Sequence, residues 1–311
     1  MATRTKRAKK GAAKKSRAAK RGRSSGAATP KPKLYKAVAN ASAAKKVGAA
    51  RPFQITVRFR GGLTPTQQNA FKRAADRWAK VIVGDLPPVM IGGELIDDVL
   101  IEAEGVAIDG AGKILGQAGP THLRPAHSAA PFLPAKGIMS FDSADLASMQ
   151  ADGTLRDVIT HEMGHVLGIG TIWTNKKFLK GAGTSNPTFV GPAAMKEFGR
   201  LKGRGTGPTA VPVENHGGAG TADSHWRESV FDRELMTGFV GDKPNPMSRL
   251  TVASLEDIGY KVNMKKAERY KLPNLSSIAE SGALMSHIAP IDRGVVLPII
   301  PTVLPSDGMP R

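Results

Sequence analysis

The chain has 311 residues and 41% hydrophobic content, enough to bury a sizeable core, with no run approaching the roughly 18 apolar residues that a membrane-spanning helix needs. Its formal charge of +19 is unevenly spread: residues 1–50 hold 16 of the 45 Lys and Arg and no Asp or Glu, which leaves 29 basic against 26 acidic residues elsewhere. The remainder is nearly neutral, so net charge alone does not make it a nucleic-acid binder. Cysteine is absent, which excludes disulfides and thiolate-held metal and leaves seven histidines as the candidate metal ligands to sort.

Residues 1–50 are Lys, Arg, Ala, Gly and Ser with few large apolar groups, and are expected to be a disordered basic arm. Such an arm can hold nucleic acid or an anionic surface by counterion release, or be a solvated extension with no partner; both readings stay open. No aromatic residue precedes Tyr35, so base stacking by residues 1–34 is excluded. Charge stands where a signal peptide needs its apolar core, so no Sec-type signal is expected and localisation stays open.

Order is expected from Phe53, where Phe-Gln-Ile-Thr-Val-Arg-Phe alternates like a half-buried strand. Thr64-Pro65-Thr66-Gln67 has the form of a capping box, and Phe71, Ala74, Trp78 and Ile82 follow on one helical face. Strand-like runs come next at residues 99–110, 114–119 and 137–142, with glycines marking the turns. Thr154 is expected to cap a second helix, about residues 154–169, that ends at Gly168 and Gly170. This order predicts an α+β fold, a mixed sheet backed by two helices.

From Thr171 onward Gly- and Pro-rich stretches predict loops with few short helices, and residues 250–262 are the last expected ordered segment. Residues 294–311 carry too many prolines for a helix and are expected to wrap over the surface or stay loose. No internal repeat is present.

His161-Glu162-Met163-Gly164-His165 places two imidazoles one helical turn apart, where both reach a single ion about 2 Å from each nitrogen. Glu162, beside the first of them, is positioned to take a proton from water at the open metal position and return it to a leaving amine. The plain alternative is a pair of satisfied histidines on a buried helix. Catalytic zinc usually has three protein ligands, so another must come from elsewhere. His216 and His225 are the downstream candidates; His122 and His127, in an expected loop, and His287, near the C-terminus, read as solvated surface histidines.

His165-Val166-Leu167-Gly168 matches the first half of the extended metzincin pattern, and Thr171 stands where its third histidine belongs. The segment from Val211, with Ser224-His225-Trp226-Arg227-Glu228-Ser229-Val230-Phe231 and Glu234-Leu235-Met236-Thr237-Gly238, resembles the leishmanolysin family of metzincins, in which a long insertion separates the helix glycine from that ligand. The resemblance extends over about residues 51–265. It implies His161, His165 and His225 as ligands of one catalytic Zn2+, Glu162 as general base and acid, Met236 as the floor beneath the imidazoles and Gly168 as the glycine at which the helix stops. Trp226 and Phe231 are expected to be core anchors around the ligand loop.

The same resemblance implies a metzincin-like division into an upper subdomain of mixed twisted sheet and two helices (51–170), a loop-rich lower one (171–265), zinc in the cleft between them, and a C-terminal extension (266–311). The implied activity is that of an endopeptidase taking an extended polypeptide, held by an edge strand around residues 137–142 and therefore of broad specificity. An inactive metzincin body used for binding, or a nucleic-acid protein working through residues 1–50, are the rival readings. Two departures stand out. Leishmanolysins are typically disulfide-rich with an inhibitory propeptide cysteine, and this chain has none; nor does Thr237-Gly238-Phe239 supply the tyrosine that some metzincins place after the methionine turn.

Overall fold

The first described strand starts at Lys33, well before Phe53. The computed structural model describes residues 32–218, 220–238, 244–274 and 295–306. Strand β1 (Lys33–Val38) pairs antiparallel with β2 (Gln54–Gly61), Tyr35 opposite Val57, and helix α1 (Ala41–Lys46) is capped by the Asn40 side chain accepting from Ala43 N. The expected basic arm is thus wrong over residues 33–46, and residues 1–31 lie outside the described part. The cause is local: β1 turns only Tyr35 and Ala37 inward, the Tyr35 hydroxyl donates to Asp76 at 2.8 Å, and ladder hydrogen bonds supply the rest. Composition averaged over fifty residues hides so narrow an anchor.

β2 buries Ile55, Val57 and Phe59 in alternation, as its pattern predicts. The capping box forms, with Thr64 Oγ1 accepting from Gln67 N and Gln67 Oε1 from Thr64 N, and starts α2 (Pro65–Val81). α2 buries Phe71 and Trp78 among Ala70, Ala74, Ala75 and Ala79, small residues that let another helix approach closely. Gly92 and Gly93, both at positive φ, turn a short hairpin of β3 (Val89–Ile91) and β4 (Glu94–Ile96). Then come β5 (Val99–Val106), β6 (Ile114–Leu123) and β7 (Pro134–Asp142). The Arg124 guanidinium, fully buried, donates to the carbonyls of Pro87, Asp97, Asp98 and Pro134, tying the end of β6 to these neighbours.

Asp142 caps α3 (Ser143–Asp152), a helix the sequence reading does not contain. It starts directly at the end of β7 with no turn residue between, and inserts only Leu146 and Met149 as buried apolar groups. Gly153 in the left-handed region ends it, and α4 (Leu155–Val166) follows. Thr154 does not cap α4 as expected: its own backbone is helical, and its hydroxyl donates to Asp152 Oδ1 at 2.6 Å.

Beyond α4 come the two-residue strands β8 (Leu179–Lys180), β9 (Thr188–Phe189) and β10 (Val211–Pro212), with α5 (Pro192–Lys202), α6 (Glu228–Phe231) and α7 (Arg249–Ile258). α5 packs on α7, whose Asp257 carboxylate accepts from Ala193 N and Ala194 N at 2.9 Å and caps α5 from outside. Trp173 stacks on Trp226 with ring centroids 4.8 Å apart, and Phe189 and Phe231 complete an aromatic core, so Trp226 and Phe231 are core anchors as expected.

Last come β11 (Val295–Leu297) and β12 (Thr302–Val303), both parallel to β6. The C-terminal stretch expected to wrap over the surface or stay loose joins the sheet at residues 295–297 and 302–303, because its prolines leave two short runs of aliphatic and β-branched residues free to pair. Among the described residues the large sheet has seven strands in the order β1-β2-β5-β7-β6-β11, with β12 also on β6. β2, β5 and β7 run parallel; β1 opposes β2 and β6 opposes β7, so the sheet is mixed as predicted. Residues 137–142 lie in β7, an interior strand between β5 and β6, and so cannot be the expected substrate-holding edge. No described helix is long and apolar enough to cross a membrane.

Candidate metal centre

α4 carries His161, Glu162 and His165, all buried. α4 packs on α2, where Trp78 Nε1 donates to Thr160 O at 2.9 Å and fixes the helix one residue before His161. Gly164, between the two histidines, faces Met236: a Cβ there would lie 2.7 Å from Met236 Sδ and 2.9 Å from Trp78 Cζ2. Only a hydrogen fits between helix and methionine.

Two glycines then bend the chain back. Gly168 has φ +106° and Gly170 φ +76°, and a Cβ on Gly170 would stand 2.0 Å from Ser224 O. That close backbone approach brings in the residue after Ser224, His225. Thr171, the residue in the place of a histidine, donates its hydroxyl to His165 O at 2.8 Å and helps close the end of α4.

The three Nε2 atoms converge, His161 to His165 at 3.0 Å, His165 to His225 at 2.9 Å and His161 to His225 at 3.1 Å. Each Nδ1 faces a carbonyl: Leu235 O at 2.7 Å, Ile169 O at 2.9 Å and Thr221 O at 2.9 Å respectively. Carbonyls only accept, so each Nδ1 carries the ring proton and the three Nε2 lone pairs face one another. Burial, and for His161 the neighbouring His165, keeps the rings uncharged, pushing His161 down to about 3, His165 to about 4 and His225 well below the ordinary imidazole value. Three neutral lone pairs this close repel, and a cation among them removes the conflict. Bonds of about 2.0–2.1 Å from one zinc to several nitrogens put those nitrogens roughly 3 Å apart, so the donor set fits.

Glu162 is a second unsatisfied group. Its Oε2 is buried without a hydrogen-bond partner, and burial pushes the carboxyl up to about 8. A cation beside it would favour the ionised form. Glu162 and the three histidines line one cleft of about 780 Å³, whose other walls include Leu115 and Ala118 of β6 and the loop from Gly220 to Ser224.

His216 is exposed and stands outside the cluster; His127 is exposed too. His122 is not in a loop as expected but half-buried on β6, and His287 lies outside the described residues. One supporting residue escaped the sequence reading. Glu234, buried, accepts from Met236 N at 2.7 Å, Ser248 N at 2.9 Å, Ser248 Oγ at 2.7 Å and Thr251 Oγ1 at 2.6 Å. It holds the turn that presents both the methionine and the Leu235 carbonyl to His161. Its only signal was adjacency to Leu235-Met236. A further acidic group, Asp85, Asp97 and Asp98, is engaged by Arg51 and by the amides of Gln54 and Leu86.

The leishmanolysin family model matches residues 129–279. Among curated proteins, a leishmanolysin homolog of Crithidia fasciculata is 30% identical over 146 residues, 44% of this chain and 22% of that protein. Leishmanolysin of Leishmania donovani is 30% identical over 142 residues, 43% of this chain and 24% of its own length. A leishmanolysin-like peptidase of Caenorhabditis briggsae reaches 46% identity over 76 residues, 24% of this chain and 11% of its own. The matched segments span less than a quarter of each relative.

Proposed function

Because the chain belongs to a leishmanolysin-like metallopeptidase family, we propose that it is a zinc-dependent endopeptidase with His161, His165 and His225 as metal ligands and Glu162 as general base and acid. The observation that carries the reading is the convergence of three Nε2 atoms within 3.1 Å of one another, each ring oriented by a carbonyl, beside a buried carboxylate oxygen with no partner. Zinc bound there would supply Lewis acidity, polarising the scissile carbonyl and making water more acidic.

The chain's own residues do the rest. Glu162 Oε2 takes a proton as the water oxygen bonds to the carbonyl carbon, then delivers it to the amide nitrogen as the C–N bond breaks. The carbonyls of Leu235, Ile169 and Thr221 hold the imidazoles in the tautomer that offers Nε2. Met236 is the proposed floor beneath the rings, and its thioether lies too close to α4 for any residue but glycine at position 164. The mixed sheet and several helices are compatible with a metzincin-like fold, and the division at about residue 170 belongs to the same proposal. An extended polypeptide is the proposed substrate.

Digestion of a denatured protein tests the reading. The chain is expected to cleave it, to fall silent with a zinc chelator and to recover with added zinc, whereas Glu162→Ala stays silent while still binding zinc. Equal activity of the two chains would overturn the assignment.

A further inference from the structure

β6 lies at the cleft and presents its outer edge away from β7, the position at which an extended peptide adds to a sheet. That edge is already taken. Val296 pairs with Gly116 and Leu297 with Gln117, and after an interval Thr302 pairs with His122 and Val303 with Leu123, followed by Leu304 N donating to Leu123 O at 2.9 Å. Val296, Leu297, Pro298 and Ile299 line the same cleft as the three histidines and Glu162.

The segment touches both walls. A Cβ on Gly119 of β6 would stand 3.3 Å from Ile299 Cβ, and one on Gly220, in the loop leading to His225, 2.9 Å from Val296 O. It is not held like a core strand. Val296, Leu297 and Ile299 are half-buried, Ile300 is 95% exposed, and Pro298, Pro301 and Pro305 lack the N–H a continuous ladder needs. Two short patches of pairing are weak separately, but being part of the same chain raises their effective concentration at β6 well above that of a free peptide.

We propose that residues 295–304 are a cis-acting peptide ligand of the catalytic cleft, seated on β6 so that an extended polypeptide substrate must displace them. This rests on the peptidase reading above. Such a ligand competes with substrate and leaves the chemistry of the open site unchanged.

The test uses the full chain with Leu297→Asp and Ile299→Asp together, and as an independent second variant a chain ending at residue 294. On a quenched fluorogenic peptide, KM is expected to fall about tenfold relative to wild type with kcat unchanged, from effective molarity set against a weak segment. A synthetic peptide of residues 295–304 added in trans is expected to raise KM again. An unchanged KM in both variants would overturn the proposal. If no chain cleaves after zinc repletion, the peptidase reading has failed and binding decides instead. Labelled 295–304 peptide should then show saturable anisotropy with the double variant and about tenfold weaker binding to wild type. Absence of binding to either variant, or equal binding to all three chains, overturns it.

Discussion

Gly164 and Glu234 show how little freedom surrounds the candidate metal site. A methyl group at Gly164 must displace either Met236 or Trp78, and both are fully buried. Gly164→Ala is therefore expected to weaken zinc binding about 10- to 100-fold, the range seen when ligands lose their orientation, measured by chelator competition. Glu234 uses one oxygen for Ser248 and Thr251 and the other for Met236 N. Glu234→Gln keeps the size but turns an amide donor towards one of these donors, and is expected to cost about 1–3 kcal/mol in urea unfolding. Weaker zinc binding should accompany the loss, because the Leu235 carbonyl that orients His161 sits on the same turn.

Between elements, Arg124 joins the end of β6 to Pro87 just before β3, to Pro134 at the start of β7 and to the turn before β5. Burial pushes the guanidinium down to about 10, so it stays charged at neutral pH and depends on its carbonyl partners. Arg124→Met is expected to leave those carbonyls without their donor and cost on the order of 3 kcal/mol or more, read as a lower urea midpoint with unchanged slope. The same variant distinguishes a structural role from a catalytic one: kcat should hold wherever the chain is still folded. α4 depends on its neighbours as well. Its orientation comes from Trp78 on α2, and Gly170 lets the chain carrying His225 approach.

For the whole molecule, a metal that binds only the folded chain stabilises it by mass action, about 2.7 kcal/mol at a hundredfold excess over Kd. Chelation is thus expected to lower Tm by several degrees, and zinc to restore it; in Glu162→Ala, which keeps all three histidines, the same shift should persist. Removing residues 1–31 tests the two open readings of the basic N-terminus, a polyanion-binding arm or a solvated extension with no partner. The cut stops there because 33–46 belong to the sheet and its capping helix. The polyanion reading predicts salt-sensitive retention on DNA that disappears on that deletion, the partnerless reading predicts no retention in either chain, and both leave cleavage unaffected.

Local rules made much of this protein readable from its sequence alone. Alternation identified β2, a reciprocal side-chain pattern started α2, and the spacing of His161 and His165 put two rings on one helical face, since each depends on residues within one or two turns of chain. Resemblance, not spacing, pointed to His225, sixty residues after His165. Only the tertiary structure brings its Nε2 within 3.1 Å of the others, through a glycine contact that no periodicity reports. The strand at Lys33, the four-carbonyl clasp of Arg124 and the C-terminal segment on β6 were settled at the same level. Each is a pairing across the fold, and its energy lies in a backbone edge or a desolvated charge supplied by distant residues.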